Sequence, residues 1–247
     1  LLRGANSPML AACWFAVVKA GGIAVGSMPL LRARELATIA VKAQISHALC
    51  DARLAEELAL ALPHCPTLRH IAHYGGEGRE LEARAATLPA TFNNVDTAAD
   101  DICLIAFTSG TTGVPKGTMH NNRDVMAACA CWPPHVLRPT ADDVFIGSPP
   151  LAFTFGLGGL LLFPLAVGAS TVLLERATPD TLPAAIEAYR ATVCFTAPTS
   201  YRAVAMAVIE GRCTHRLGSL RKCVSAGEAL PAPTRALWQQ ATGLTLI

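Results

Sequence analysis

The sequence predicts a layered α/β fold with parallel sheets, on three observations. Short apolar runs such as ICLIAF (102–107), VFIG (144–147) and TVCFT (192–196) are continuous rather than alternating, the pattern of strands covered on both faces. Between such runs stand stretches with helical periodicity and recognisable start and stop residues. The 247 residues are 52% hydrophobic and 15% charged, enough apolar side chain for one large core or two smaller ones. Strands alternating with helices over this length imply Rossmann-like subdomains, in which ligands collect beyond the carboxyl ends of the strands.

In chain order, SPMLAACWFAVVKAGG (7–22) predicts a helix with Ser7 as N-cap, Pro8 at the first helical position and Gly21 as the stop. IAVGSMP (23–29) reads as a short strand. A helix over 32–44, a buried strand at 47–50, a helix over 53–62 and a strand at 68–74 follow. The polar stretch 75–101, with GGEG, LPATFNN and DTAADD, reads as a surface excursion. It separates a first α/β part, 1–100, from a second, 101–247. In the second part, strands are predicted at 102–107, 144–147, 171–174, 192–196 and 223–225, with helices at 122–131, 157–167, 182–189, 200–209 and 234–240. The chain opens on Leu1 and stops at GLTLI, which reads as the start of another strand; it is expected to be a segment of a longer protein.

Composition excludes several classes. A net charge of +2 with interspersed signs, and only RLGSLRK (216–222) as a basic cluster, argues against nucleic-acid binding. The uncharged stretch 146–174 is long enough to span a bilayer on paper. It contains Pro149, Pro150 and Pro164 and five glycines, and a strand, a loop, a short buried helix and a second strand describe it better. Nine cysteines, at 13, 50, 65, 103, 129, 131, 194, 213 and 223, include no CxxC pair. They read as free thiols of a reducing cytoplasm rather than as zinc ligands.

The chemistry concentrates in LIAFTSGTTGVPKGTMH (104–120). Thr108, Ser109, Thr111 and Thr112 offer hydroxyls, Gly110 and Gly113 let a ligand approach the backbone, and successive amides form an anion-binding concavity. Lys116 adds a mobile positive charge. The spacing is not that of G-x-x-x-x-G-K-[ST], and Gly117 stands where that motif places a magnesium-binding hydroxyl. The alternative, a flexible surface loop with an incidental lysine, sits poorly with four hydroxyls, three glycines and a lysine directly after a buried strand.

TSGTTGVPKG (108–117) resembles the phosphate loop of the adenylate-forming superfamily, which includes acyl- and aryl-CoA synthetases, firefly-type luciferases and peptide-synthetase adenylation domains. PPLAFTFGLGG (149–159) resembles the segment whose aromatic borders the acyl pocket, and VCFTAPTSYRAV (193–204) the pocket-lining strand and helix. VSAGEALP (224–231) is similar to the stretch that packs on adenine and the acyl group. FTFGLGG and SAGEALP look most like benzoate- and 2-aminobenzoate-CoA ligases; Phe153 stands where many relatives carry histidine, and suits an aromatic acid.

The resemblance implies a truncated large N-terminal domain and an enzyme that joins an aromatic acid to AMP from ATP and then to coenzyme A. It implies that Thr108, Ser109, Gly110, Thr111, Thr112 and Gly113 cradle the β- and γ-phosphates, with Lys116 the catalytic cation that offsets the departing pyrophosphate. Gly227, Glu228 and Ala229 would flank adenine; Phe155, Gly156, Ala197 and Ala226 would line the aryl pocket, with thiol gating a second expected role of Phe155. The magnesium-linked glutamate, the ribose-binding aspartate and the small C-terminal domain with its own lysine are expected beyond Ile247. The 247 residues alone are therefore expected to lack ligase activity, and a homodimer is an allowed assembly.

Bland readings stand beside these roles. Phe153 and Phe155 could be plain core aromatics, Glu228 a solvated helix-flanking acid, His120 a structural histidine and Asn122 a helix cap. Alternatives for the whole protein are an adenylation domain loading a carrier protein, a non-catalytic nucleotide-binding module, and a membrane-associated protein built around 146–174.

Overall fold

Two four-stranded parallel sheets dominate the computed structural model. It describes residues 1–77, 79–108 and 115–247. They divide into two compact units, Leu1–Met126 and Ala127–Ile247. The polar stretch, from which the sequence predicts a boundary at 100/101, belongs to the first unit.

The first unit begins with β1 (Leu2–Arg3), α1 (Pro8–Lys19), β2 (Gly26–Ser27), α2 (Ala33–Lys42) and β3 (His47–Asp51). It continues through α3 (Ala55–Ala61), β4 (His70–Tyr74) and α4 (Glu80–Ala86). The strand order is β2-β1-β3-β4. The α1 signals act as read: Leu10 N–H donates to Ser7 Oγ at 3.2 Å, and Pro8 takes the first turn, where no N–H is needed. Leu36, Ile39 and Ala40 of α2 are buried in one core with Ala48, Cys50 and Leu58.

Two of these elements are not predicted by the sequence, for physical reasons. The two residues of β1 are too few to show a strand pattern, and one is an arginine. Arg3 is buried, donating to the carbonyls of Leu54 (3.1 Å), Met28 (3.1 Å), Pro29 (3.3 Å) and Leu31 (3.1 Å). Helix α4 buries no residue, so no apolar stripe marks it. Its first turn is tied back to β4 by bonds from His73 N–H to Glu80 and from Gly75 N–H to Glu82.

The strand predicted at 102–107 is present as β5 (Ile102–Thr108), but it does not run on through a loop to a helix. Its antiparallel partner is β6 (Lys116–Asn121), paired from Ile102↔Asn121 to Thr108↔Lys116 with a register shift between Ile102 and Leu104. Met119 is the one large apolar residue of β6 and none of its residues is buried, so no apolar run shows it. The pair meets the first sheet through a parallel bridge between Ala24 and Leu104. Helix α5 (Asn122–Cys131) follows, and the division between the units falls within it. Its cap is Asn121, which exchanges bonds with Asp124: Asn121 N–H donates to the Asp124 carboxylate and Asp124 N–H to Asn121 Oδ1. Asn122, expected as the cap, instead pins the preceding loop by donating to Ala98 O at 2.9 Å.

The second unit holds β7 (Val144–Gly147), an irregular helical run comprising α6 (Thr154–Leu157), the wider turns Gly158–Leu162 and α7 (Phe163–Ala166), then β8 (Ser170–Val172). Next come α8 (Thr181–Tyr189), β9 (Val193–Thr196), α9 (Pro198–Ile209), β10 (Lys222–Ser225) and α10 (Ala232–Thr242). The order is β10-β9-β7-β8. The closing residues pair with β10 through a bridge between Cys223 and Leu246, as GLTLI suggested. The stretch 146–174 is thus broken into short elements, and among the described residues no helix is long and apolar enough to cross a membrane.

One face of this sheet carries Ile146, Cys194 and Cys223 into a core with Tyr201 and Trp238. The neighbouring residue Phe195 points the other way, onto the irregular helical run. Buried Asp143, just before β7, accepts from Arg221, from Thr192 Oγ1 (2.7 Å) and from Thr140 N–H (2.8 Å). This cluster joins the entrances of β7, β9 and β10.

Candidate functional site

In the first unit, Thr108 ends β5 and Lys116 opens β6, directly opposite each other in register. Both are exposed, so the lysine stands at the carboxyl end of a buried strand, where α/β folds place ligands. None of the ion pairs among the described residues uses Lys116. Ser109, Gly110, Thr111, Thr112 and Gly113 lie outside the described residues. Along β6, Lys116, Thr118 and His120 alternate onto one face. Thr118 Oγ1 donates to Ala106 O at 3.0 Å, and His120 Nε2 lies 3.2 Å from Thr118 Oγ1. Its Nδ1 is 3.9 Å from the Asp124 carboxylate. Those neighbours give His120 a structural setting.

The other predicted residues stand in the second unit. Thr196 and Ser225, the last residues of β9 and β10, are register partners. The half-buried Ala197 and Ala226 follow them at the ends of adjacent strands. Gly227 turns the chain with φ +95°, and Gly227, Glu228 and Ala229 are all exposed. The Glu228 carboxylate accepts from Thr199 N–H at 3.1 Å, at the amino end of α9. Unpaired backbone donors and the helix dipole both favour an anion there. The helix-flanking reading of Glu228 thus describes its contact.

Phe155 is half-buried, and its ring centroid lies 5.6 Å from that of Phe195 at a 49° tilt. Phe195 is fully buried and is further surrounded by Phe145 at 6.1 Å and Phe163 at 6.4 Å. Gly156 is buried behind Phe155, against the Pro150 carbonyl: a Cβ there would fall 2.1 Å from that oxygen. Phe153 is 38% exposed, which rules out the plain core reading for it. Ala197 and Ala226 thus stand at the carboxyl ends of adjacent strands and Phe155 lies against the Phe195 ring of one of them; none of the three carries a titratable group, and the Glu228 carboxylate is close by in sequence. The sequence marks Phe195 only as part of a pocket-lining strand. The available signal was a bulky aromatic in β9 and a Gly158-Gly159 pair in the facing helical run.

The model of the AMP-binding enzyme family matches residues 1–247. Benzoate–CoA ligase of Thauera aromatica is 32% identical over 234 residues, covering 93% of this chain and 44% of that protein. Anthranilate–CoA ligase of Pseudomonas aeruginosa is 32% identical over 244 residues, covering 94% of this chain and 44% of that protein. Among solved structures, the anthranilate CoA ligase AuaEII in complex with anthranoyl-AMP superposes with a TM-score of 0.92 at 32% identity, over 99% of this chain and 48% of that one. The chain spans somewhat less than half the length of each of these proteins.

Proposed function

Because the chain belongs to the family of AMP-binding enzymes, we propose that the whole protein is an ATP-dependent aryl-CoA ligase acting on a benzoate- or aminobenzoate-type acid. The observation that carries the choice of acid is Phe155 resting on Phe195 of β9, with the small Ala197 and Ala226 following the ends of β9 and its neighbour β10. A flat apolar ring is matched by such surroundings, whereas a charged or strongly hydrated side chain would be left unpaired there. The relatives named for benzoate and anthranilate support the same class.

In the first step a carboxylate oxygen of the acid attacks the α-phosphorus of ATP, the bond to the pyrophosphate breaks, and the acyl-adenylate forms. Negative charge gathers on the departing pyrophosphate. Lys116 is assigned to offset it, and the amides and hydroxyls of Thr108 through Gly113 to hold the β- and γ-phosphates. Gly227, Glu228 and Ala229 are assigned to the adenine. In the second step the thiolate of coenzyme A attacks the acyl carbonyl and AMP leaves; Phe155 is assigned to the route of the thiol. Magnesium would supply counter-charge to the ATP phosphates, held by a carboxylate expected beyond Ile247. Among the described residues no group of three or more His, Cys, Asp or Glu side chains is placed to hold a metal ion. The nine free cysteines support a reducing cytoplasm as the compartment.

Pyrophosphate exchange by the full-length protein across a panel of aromatic and aliphatic acids tests the reading. Exchange with benzoate or 2-aminobenzoate, followed by acyl-CoA formation, is the expected result. Preference for an aliphatic acid, or no exchange with any acid, would overturn it.

A further inference from the structure

We propose that Lys42 is a positioning residue for Lys116, holding the exit of the phosphate loop by the carbonyl of Pro115. The inference rests on the ligase reading and adds a residue to it. Helix α2 is fixed to the first core by Leu36, Ile39 and Ala40, and Lys42 is the last residue of that helix. Its Nζ donates to Pro115 O at 2.8 Å, between residues 73 positions apart in the sequence. None of the ion pairs among the described residues uses Lys42, so no carboxylate among them competes for its ammonium.

The place of contact gives the bond its consequence. The ladder between β5 and β6 runs up to the Thr108↔Lys116 pair, and Pro115 stands immediately outside it. A proline has no N–H to add to the ladder. Its carbonyl belongs to the same peptide plane as the Lys116 nitrogen, so rotation of that plane turns the direction in which the Lys116 side chain leaves the backbone. A donor anchored on a packed helix restrains this rotation, and an ammonium on a carbonyl is a charge-assisted bond. The same contact brings a second positive charge to the end of the hairpin that is assigned to the polyphosphate, which adds to the local attraction for it.

The test uses the full-length protein with Lys42→Met and Lys42→Arg. Pyrophosphate exchange, hydrogen exchange of the Lys116 and Gly117 amides, and thermal melting are measured on each. For Lys42→Met the expected result is a kcat lowered about fivefold, the size of one exposed charge-assisted bond. The KM for the acid should be unchanged and the melting temperature the same within about 2 °C. The two amides should exchange faster, and Lys42→Arg should restore most of both effects. Unchanged kcat with unchanged amide exchange would overturn the proposal. So would a rise in the KM for ATP at full kcat, which would make Lys42 a simple binding cation. An unmutated protein inactive on every acid would sink the ligase reading instead, and the amide exchange would then decide the clamp alone.

Discussion

Gly159 lies so close to Phe195 that a Cβ built on it falls 2.3 Å from the ring's Cδ1. The irregular helical run and β9 therefore meet through bare backbone against an aromatic face. Gly159→Ala must displace either the ring or the helical run. Overpacking of this kind costs about 1–3 kcal/mol, which should lower the melting temperature by several degrees. Phe145 behind the ring is fully buried, while Phe155 and Phe163 are only half-buried, so the displacement should pass outward to them. A raised KM for the aromatic acid should accompany the lower melting point, and a variant with both values unchanged would show that this contact does not shape the site.

Lys116→Ala should separate catalysis from stability. The side chain is exposed and outside the ion pairs of the described residues, so its removal should leave thermal melting unchanged. A charge-assisted contact to phosphate contributes roughly 1.5–3 kcal/mol, and pyrophosphate exchange should slow by about tenfold or more. Binding of the aromatic acid, followed by equilibrium dialysis, should be retained. An exchange rate equal to that of the unmutated protein would remove Lys116 from the reaction.

These two residues differ in how far the sequence discloses them. Lys116 sits in a run of glycines and hydroxyls whose chemistry is local, and ten consecutive residues carry the resemblance. The parallel sheets were legible for a similar reason, since a strand covered on both faces must be a continuous apolar run. Elements without a buried stripe, β6 and α4, left no such trace. Contacts across long sequence separations were also silent. The closeness of Gly159 to Phe195, and of Lys42 to Pro115, depends on how the chain returns, and no local pattern encodes it.

Asp143 and Arg221 should make stability depend on acid pH. Burial by itself raises the Asp143 carboxyl, but hydrogen bonds from Arg221, Thr192 and Thr140, with the Arg221 charge, outweigh it and hold the group at about 2, against an ordinary 3.8. The folded value is the lower one, so the stabilisation is fully present above about pH 4 and is lost as pH falls toward 2. Its size is roughly 2 kcal/mol. Asp143→Asn should therefore be less stable than the unmutated protein at pH 6, with the difference shrinking as pH falls through this window. Denaturant unfolding at a series of pH values measures it, and a difference independent of pH would show that the carboxylate charge is not what holds the strand entrances.

Arg3 poses the opposite problem, a buried cation bound by carbonyls. Its guanidinium uses Nε, Nη1 and Nη2 to reach Leu54, Met28, Pro29 and Leu31, and burial pushes its pKa below the usual arginine value. Replacing a buried ion with an apolar group can be neutral when its partners are replaced too. Here the partners are main-chain carbonyls, which remain in place and lose a donor each. Burial and loss of partners thus act in opposite directions. The second should win, because leaving a buried acceptor unpaired costs about 1–3 kcal/mol and the loss falls on four carbonyls; the residues carrying them are only half-buried, so water offsets part of the total. Arg3→Met should destabilise the full-length protein by about 2–4 kcal/mol. Arg3→Lys should recover little of this, since three donors on one nitrogen cannot span the reach of a planar fork. Denaturant midpoints of the two variants measure it, and a lysine variant as stable as the unmutated protein would show that charge alone, not the fork, holds these segments to β1.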